Sequence, residues 1–263
     1  MPELGEVEIA RKHLQSWWTD AASTFHLIDA KVLKSGEPAD LERQISQTPR
    51  AFKRRGKQLW VEFADGPHLA FHFRMTGQIV RTTSPEERFS RIAWQVGDSW
   101  LHFVDPRRFG YVEVWTDSER DAALAKLGPD PHAADPKLMR EKAGARQLKA
   151  ALLDQSVIAG VGNIAFIEVM WRLGLHPEIK GSQLSKAEWS RLIQAFVDFF
   201  DEVVERDFSP EQGRIDYVNT GGTNPFEIYQ QDQCPKCSGG IERLVQGGRS
   251  TYFCPRCQRS GRR

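Results

Sequence analysis

Cysteine is absent from the first 233 residues of this 263-residue chain; all four cysteines fall between positions 234 and 257. A pair of disulfides is disfavoured, because no secretion signal is seen and the cysteine spacing is regular. Long apolar runs are also missing, so no membrane span is expected. The first residues lack the basic-then-apolar signature of a secretory leader, and the expected location is the cytoplasm. Net charge is scarce too, at only +1, but it is unevenly spread. From Cys234 onward Lys236, Arg243, Arg249, Arg256, Arg259, Arg262 and Arg263 face Glu242 alone. A basic terminal module on an otherwise balanced chain suggests an anionic partner, nucleic acid first.

What remains is ordinary for a globular protein: 40% hydrophobic and 27% charged residues, in a length that suits two modest domains or one large one. Residues 3–18 carry Val7, Ala10, Leu14 and Trp17 at near-helical spacing, which predicts an amphipathic helix with Glu3 in its first turn. Between residues 28 and 115, short apolar or alternating runs (59–63, 69–73, 92–96, 100–104 and 111–115) sit among turn signals such as Asp65-Gly66 and Gly97-Asp98. Their spacing predicts a β-sandwich or barrel-like domain. Three polar insertions interrupt it: Lys53-Arg54-Arg55-Gly56-Lys57 ahead of a strand, His72-Phe73-Arg74-Met75-Thr76-Gly77, and Asp105-Pro106-Arg107-Arg108-Phe109-Gly110. Each alone reads as a basic loop with a turn glycine. Together they offer cations for phosphates, and exposed Met and Phe that can wedge into a base stack.

After residue 116 the pattern turns helical, with a rigid connection at Gly128-Pro129-Asp130-Pro131 as the candidate domain boundary. Helices are expected over 138–153, over 163–173, and from a capping box at Ser185-Lys186-Ala187-Glu188 to about Arg206. Gly160-Val161-Gly162-Asn163 supplies a turn whose N–H groups can meet an anion at a helix start. Residues 213–225 form a short linker, and 226–229 are expected to be a strand entering the last module.

That module reads Cys234-Pro235-Lys236-Cys237, sixteen residues, then Cys254-Pro255-Arg256-Cys257. Paired Cys-x₂-Cys motifs at this distance fit a tetrahedral four-thiolate site, which implies one Zn²⁺. A closed four-thiolate shell has no open position, so the zinc is structural. The spacer reads as a β-hairpin turning at Gln246-Gly247-Gly248, which would hold Arg249 rigidly as a phosphate clamp.

The opening Met1-Pro2-Glu3 has chemical potential of its own. Removal of Met1 would leave Pro2 as a free secondary amine beside a carboxylate. An α-amine titrates near ~8, so a useful fraction is nucleophilic at neutral pH. Its attack on a sugar or aldehyde carbon yields an iminium, which serves as an electron sink. Glu3 could move protons in the same site. Proline after an initiator methionine is common, and alone it carries no chemistry.

Taken in order, these pieces resemble the formamidopyrimidine-DNA glycosylase and endonuclease VIII family of base-excision repair enzymes, over essentially the whole chain. The resemblance rests on Pro2-Glu3-Leu4 with Glu6-Val7-Glu8, Arg55-Gly56-Lys57, His72 with Met75-Thr76-Gly77, and Asp105-Pro106-Arg107-Arg108-Phe109-Gly110. It continues through Leu127-Gly128-Pro129-Asp130-Pro131, Leu153-Asp154-Gln155, Gly160-Val161-Gly162-Asn163-Ile164 and the zinc hairpin. It implies an α+β multidomain fold: an N-terminal helix plus β-sandwich over 1–127, a helix-two-turn-helix domain over 132–222 and a C-terminal four-cysteine zinc-finger β-hairpin over 226–263. It implies Pro2 as nucleophile on the anomeric carbon and Glu3 as the acid assisting ring opening. Lys57, Asn163 and Arg249 would grip phosphates, with Lys57 and Arg249 counted in the catalytic set. Met75, Arg107 and Phe109 would fill the gap left by the extruded nucleotide, and His72 would join the DNA-binding set. Cys234, Cys237, Cys254 and Cys257 would hold the zinc.

The implied activity is a bifunctional glycosylase and abasic-site lyase on oxidised bases in damaged double-stranded DNA, followed by β,δ-elimination. The protein is expected to be a monomer, nucleoid-associated, with no membrane partner. Two other readings stand beside it: a damage-binding protein without turnover, and a same-mechanism enzyme specialised for oxidised pyrimidines, abasic sites or bulky adducts. Three positions depart from the formamidopyrimidine branch. Gly5 stands where proline is usual, Ala165 replaces a tyrosine, and the segment from Gly222 to Phe226 is too short for a loop covering an extruded 8-oxoguanine. The Pro-Glu-Leu opening and the Arg107/Phe109 pair still lie closer to that branch than to endonuclease VIII.

Overall fold

The computed structural model describes residues 2–215 and 222–260. Within them the chain divides into two compact units, one of residues 1–125 with 203–223, the other of 126–202 with 224–263.

The first unit opens with helix α1 (Leu4–Trp17), whose Val7, Ala10, Leu14 and Trp17 are buried as their spacing predicts. Strands β1 (Thr24–Leu27), β2 (Leu33–Ser35), β3 (Ala51–Arg55), β4 (Gln58–Glu62), β5 (His68–His72), β6 (Gln78–Thr82), β7 (Ser90–Val96), β8 (Ser99–Val104) and β9 (Tyr111–Trp115) follow. Helix α2 (Pro38–Ile45) interrupts them and α3 (Asp117–Ala125) closes them. They build a four-stranded sheet in the order β1-β7-β8-β6 and a five-stranded sheet in the order β2-β9-β5-β4-β3, antiparallel except where β2 meets β9. Phe71 of the larger sheet packs on Trp94 and Phe103 of the smaller, at ring separations of 6.4 and 6.0 Å. Trp18, fully buried past the end of α1, meets Trp94 at 5.1 Å and Phe63 at 5.8 Å. This aromatic core is the sandwich expected from sequence.

Five strands lie where the apolar runs place them, within one or two residues. The four that the pattern misses (β1, β2, β3 and β6) are the four sheet edges. Lys53, Arg54 and Arg55, expected ahead of a strand, are themselves within β3. An edge strand needs only one paired side, and charged residues on it discourage pairing with other chains. The segment after Asp207 also joins this unit: Trp17 Nε1 donates to Pro210 O and Arg81 N to Gly213 O.

The second unit holds α4 (Pro136–Ala143), α5 (Leu148–Leu152), α6 (Asn163–Arg172), most of α7 (Lys186–Asp207) and the hairpin β10 (Glu242–Gln246) and β11 (Arg249–Phe253). The single helix expected over 138–153 is two, because Gly144 takes φ +55° and ends the first. The capping box before α7 forms as read: Glu188 N donates to Ser185 Oγ and Ser185 N to Glu188 Oε2. Residues 226–229 are not a strand. The N–H groups of Glu227, Ile228 and Tyr229 all donate to the buried carboxylate of Glu168 on α6, at 2.8 to 3.1 Å. Those N–H groups are therefore taken, and no ladder can form. Of the expected linker 213–225, residues 216–221 lie outside the described residues.

Candidate active site and nucleic-acid interface

Pro2 is buried immediately before α1, and Glu3, 3% exposed, is the N-cap residue of that helix. Glu6 closes the capping box by accepting the Glu3 N–H at 2.8 Å. This fixes the backbone of Glu3 and, through it, the orientation of Pro2. Burial, reinforced by the charge of Glu3, raises the Glu6 carboxyl to about 6. Glu6 therefore holds a proton more readily than an ordinary carboxylate, next to the backbone of Glu3, the residue that follows Pro2. Gly5 is buried inside the first turn of α1.

One turn further on, Glu8 ties α1 to β3. Its carboxylate accepts Arg54 Nε at 3.0 Å and Arg11 Nη2 at 2.7 Å, and Arg54 Nη1 donates to Gly56 O at 3.1 Å. Against the upward push of burial, these two guanidinium groups hold the Glu8 carboxyl below its ordinary value. The chain Glu8–Arg54–Gly56 anchors the tight turn Gly56-Lys57, in which Gly56 takes φ +57° and Lys57 is buried. The helix carrying Pro2 and the turn carrying Lys57 are therefore one construction.

His72 ends β5, stacked on Tyr111 of β9 at 5.1 Å. Lys34 and Arg74 lie against the same tyrosine, 4.2 and 5.2 Å from its ring centre. Burial and the charges of Arg74, Lys57 and Lys34 push the His72 imidazole down to about 4. Lys34, Lys57 and Arg74 thus concentrate positive charge around a neutral imidazole, a ready seat for phosphate oxygens.

Met75 and Phe109 are exposed, on separate loops that one residue holds in place. The fully buried Asp105 accepts the Thr76 hydroxyl on one loop and the N–H groups of Arg107 and Gly110 on the other, the last at 2.6 Å. Its own carbonyl accepts both Nε and Nη2 of Arg91. The Arg107 guanidinium lies over the Phe109 ring at 4.8 Å. Gly77 is required here, since a Cβ would fall 2.6 Å from Phe73 O. Sequence reasoning named Met75, Arg107 and Phe109 but not Asp105, whose cue is an acid among basic residues directly after a β-strand.

In the second unit, Asn163 opens α6 and donates Nδ2 to Ser250 O on β11 at 3.1 Å. Gly160 N is taken by Gln155 Oε1, so the glycine turn is partly satisfied from within. Arg249 begins β11 beside the hairpin turn, where Gly247 and Gly248 both have positive φ. Sequence reasoning passed over Lys149. Its Nζ donates to Thr251 Oγ1, and burial together with the charge of Arg249 lowers it to about 8. Lys149 and Arg249 line a cavity of about 310 Å³ with Gln147, Leu153, Asp154 and Gln246. A buried lysine at helical spacing within an apolar run was the available signal.

The four cysteine Sγ atoms lie within 4.8 Å of one another, with Cys234 to Cys257 at 3.8 Å and Cys237 to Cys254 at 3.5 Å. Four sulfurs about 2.3 Å from a common zinc would stand roughly 3.8 Å apart, so the geometry fits the ion. Trp171 Nε1 donates to Cys234 Sγ at 3.3 Å, the kind of outer contact that orients a ligand. Burial and the neighbouring thiols push the Cys257 thiol up to about 12, a crowding that a divalent cation relieves. The four side chains would hold one structural Zn²⁺, which supplies no reaction chemistry.

Comparison with known proteins agrees with this layout. The formamidopyrimidine-DNA glycosylase N-terminal domain matches residues 1–112, the H2TH domain of the same enzymes residues 127–212, and the zinc finger found in FPG and IleRS residues 232–259. A formamidopyrimidine-DNA glycosylase from Rhodopseudomonas palustris strain TIE-1 is 32% identical, covering 98% of this chain and 100% of its own. The Lactococcus lactis enzyme, solved with DNA containing FAPY-dG, superposes with a TM-score of 0.85 at 28% identity, again over 98% and 100% of the two chains. A MutM structure with DNA containing carbocyclic 8-oxo-G gives 0.85 at 27%, with the same coverage. From the first helix to the zinc hairpin, this chain belongs to the formamidopyrimidine-DNA glycosylase family.

Proposed function

We propose that this protein excises oxidised bases such as formamidopyrimidine-guanine and 8-oxoguanine from duplex DNA, and then cleaves the strand as an abasic-site lyase. The observation that carries the reading is the buried Pro2-Glu3 start of α1, braced by Glu6 and linked through Glu8 and Arg54 to Lys57. The glycosidic bond is out of reach inside the stack, so the nucleotide must be flipped out, and Met75, Arg107 and Phe109 take its place. Lys57 and His72 in the first unit, and Asn163 and Arg249 in the second, each hold phosphates of the DNA.

With Met1 removed, the Pro2 nitrogen forms a bond to C1′ as the base departs with a proton. Glu3 donates a proton to the ring oxygen, and the opened sugar remains joined to Pro2 as an iminium. That cation acidifies C2′, whose deprotonation expels the 3′ phosphate; a second elimination expels the 5′ phosphate. Base removal and strand cleavage share one intermediate. On this reading the enzyme works as a monomer on nucleoid DNA.

Borohydride reduction on duplexes carrying 8-oxoguanine, a formamidopyrimidine, an oxidised pyrimidine or an abasic site tests the reading. A covalent adduct mapping to Pro2 by mass spectrometry is expected, and Pro2→Gly should lose most of it. DNA binding without an adduct on any duplex would favour a damage-binding protein instead. An adduct on abasic DNA alone would mark a specialised lyase, the outcome suggested by the short segment before Phe226.

A further inference from the structure

A second arginine–aromatic pair stands beside the first. Phe89 is 40% exposed, as much as Met75 at 40% and close to Phe109 at 50%. The Arg88 guanidinium lies over its ring at 4.5 Å, which repeats the Arg107–Phe109 arrangement. The Phe89 carbonyl accepts the N–H of Asp105 at 3.1 Å, so Phe89 is fixed to the residue that organises both wedge loops. Its φ is +64°, a costly conformation for a bulky side chain and one that persists only where the surroundings impose it. A glycine would sit there without strain.

Phe89 also forms the rim of an open cavity of about 730 Å³, shared with His26, Ile28, Arg88, Ser90 and Arg91. Ile28 is itself exposed, so the rim is apolar on two sides. The acids nearby are already neutralised: Glu87 by Arg214 at 2.7 Å, and Asp29 by Arg108 at 3.1 Å with Arg91 at 3.7 Å. Of the two acids of the lining, the exposed Glu86 is the one with no ion pair among the described residues. The surface is therefore aromatic with a small excess of positive charge, and Phe89 is tied by a backbone hydrogen bond to the buried Asp105 that holds the wedge loops.

We propose that Arg88 and Phe89 form a second DNA-contacting ledge, where Phe89 stacks on a nucleobase unstacked beside the lesion and Arg88 pairs with the adjoining phosphate. The inference rests on the DNA-repair reading above and adds to it a specificity-determining contact outside the Met75–Arg107–Phe109 wedge. Aromatic stacking on an exposed base is sequence-tolerant, because every base presents a π face. The ledge would accordingly sense local unstacking rather than base identity.

The test compares wild type with Phe89→Gly, Phe89→Tyr and Arg88→Gln on a duplex with a tetrahydrofuran abasic analogue. 2-Aminopurine is placed in turn at each position flanking the lesion on both strands. Phe89→Gly should weaken binding about tenfold, within the range measured for single base–aromatic stacks. It should also abolish quenching at one 2-aminopurine position, while Phe89→Tyr keeps both properties. Arg88→Gln should lower the slope of log affinity against log salt by about one. Because glycine relieves the positive φ, the melting temperature of Phe89→Gly should hold or rise, which separates lost contact from lost folding. Wild-type affinity in Phe89→Gly, or unchanged 2-aminopurine emission at every position, overturns this inference alone, provided wild type traps at Pro2. Failure of wild type to bind damaged duplex overturns both readings.

Discussion

Replacing Asp105 by asparagine tests whether one buried carboxylate sets the position of both the Met75 loop and the Phe109 loop. The carboxylate accepts three hydrogen bonds, from the Thr76 hydroxyl and from the N–H groups of Arg107 and Gly110. Asparagine offers one acceptor oxygen and one NH₂. Whichever way it turns, that NH₂ meets either the Gly110 N–H or the Thr76 and Arg107 donors. At least one charge-assisted bond is lost in a fully buried site, at a cost of about 1.5–3 kcal/mol. For a unit of this size the melting temperature should fall by roughly 3–10 °C. Loosening the loops makes DNA binding order them anew; at about 1–2 kcal/mol per residue ordered, affinity for abasic duplex should drop about tenfold. Differential scanning calorimetry and fluorescence anisotropy read the two effects, with trapping at Pro2 under saturating DNA as the control for the chemistry. An Asp105→Asn protein with wild-type melting temperature and affinity would refute the reasoning.

Three further outcomes follow from the site. His72 is held at about 4 without DNA, so an approaching phosphate raises its proton affinity and binding takes up a proton; affinity should climb as pH falls from about 7 toward 5, and His72→Gln should flatten the profile. Lys149, lowered to about 8, loses its charge on the alkaline side of neutrality, so DNA binding should weaken between pH 7 and 9 in wild type but not in Lys149→Met, which starts weaker. Cys254→Ser should abolish stoichiometric zinc by atomic absorption and most DNA affinity, while the β-sandwich unit keeps its near-ultraviolet circular dichroism; undiminished DNA binding would contradict the clamp role of Arg249.

The sequence made the interior of this fold legible and left its margins obscure. Strands β4, β5, β7, β8 and β9 are hydrogen-bonded on both sides and read as apolar runs. The four edge strands have one open side and carry mixed or basic residues that look like loops. The same asymmetry runs through the site. Pro2, Lys57, Met75, Arg107, Phe109 and the cysteines stand out by motif, because the nucleophilic, wedging and metal-binding roles proposed for them demand particular residue types. Asp105, Glu6 and Lys149 act by position, and their roles depend on which N–H, hydroxyl or charge the fold brings near. No local pattern encodes that. The expected strand at 226–229 failed for the same reason: a glutamate nearly sixty residues earlier in the chain takes up its amides.

That glutamate has a further consequence for how the chain tolerates change in length. Glu168 clasps residues 227–229 to α6, so the zinc hairpin takes its spatial reference from a helix rather than from the residues that lead into it. Residues inserted ahead of Asn224 would enter a chain already fastened beyond that point, at 227–229, and each doubling of a flexible loop costs only about 0.6 kcal/mol. Evolution or an engineer can therefore rewrite that stretch without moving Arg249 or the four cysteines.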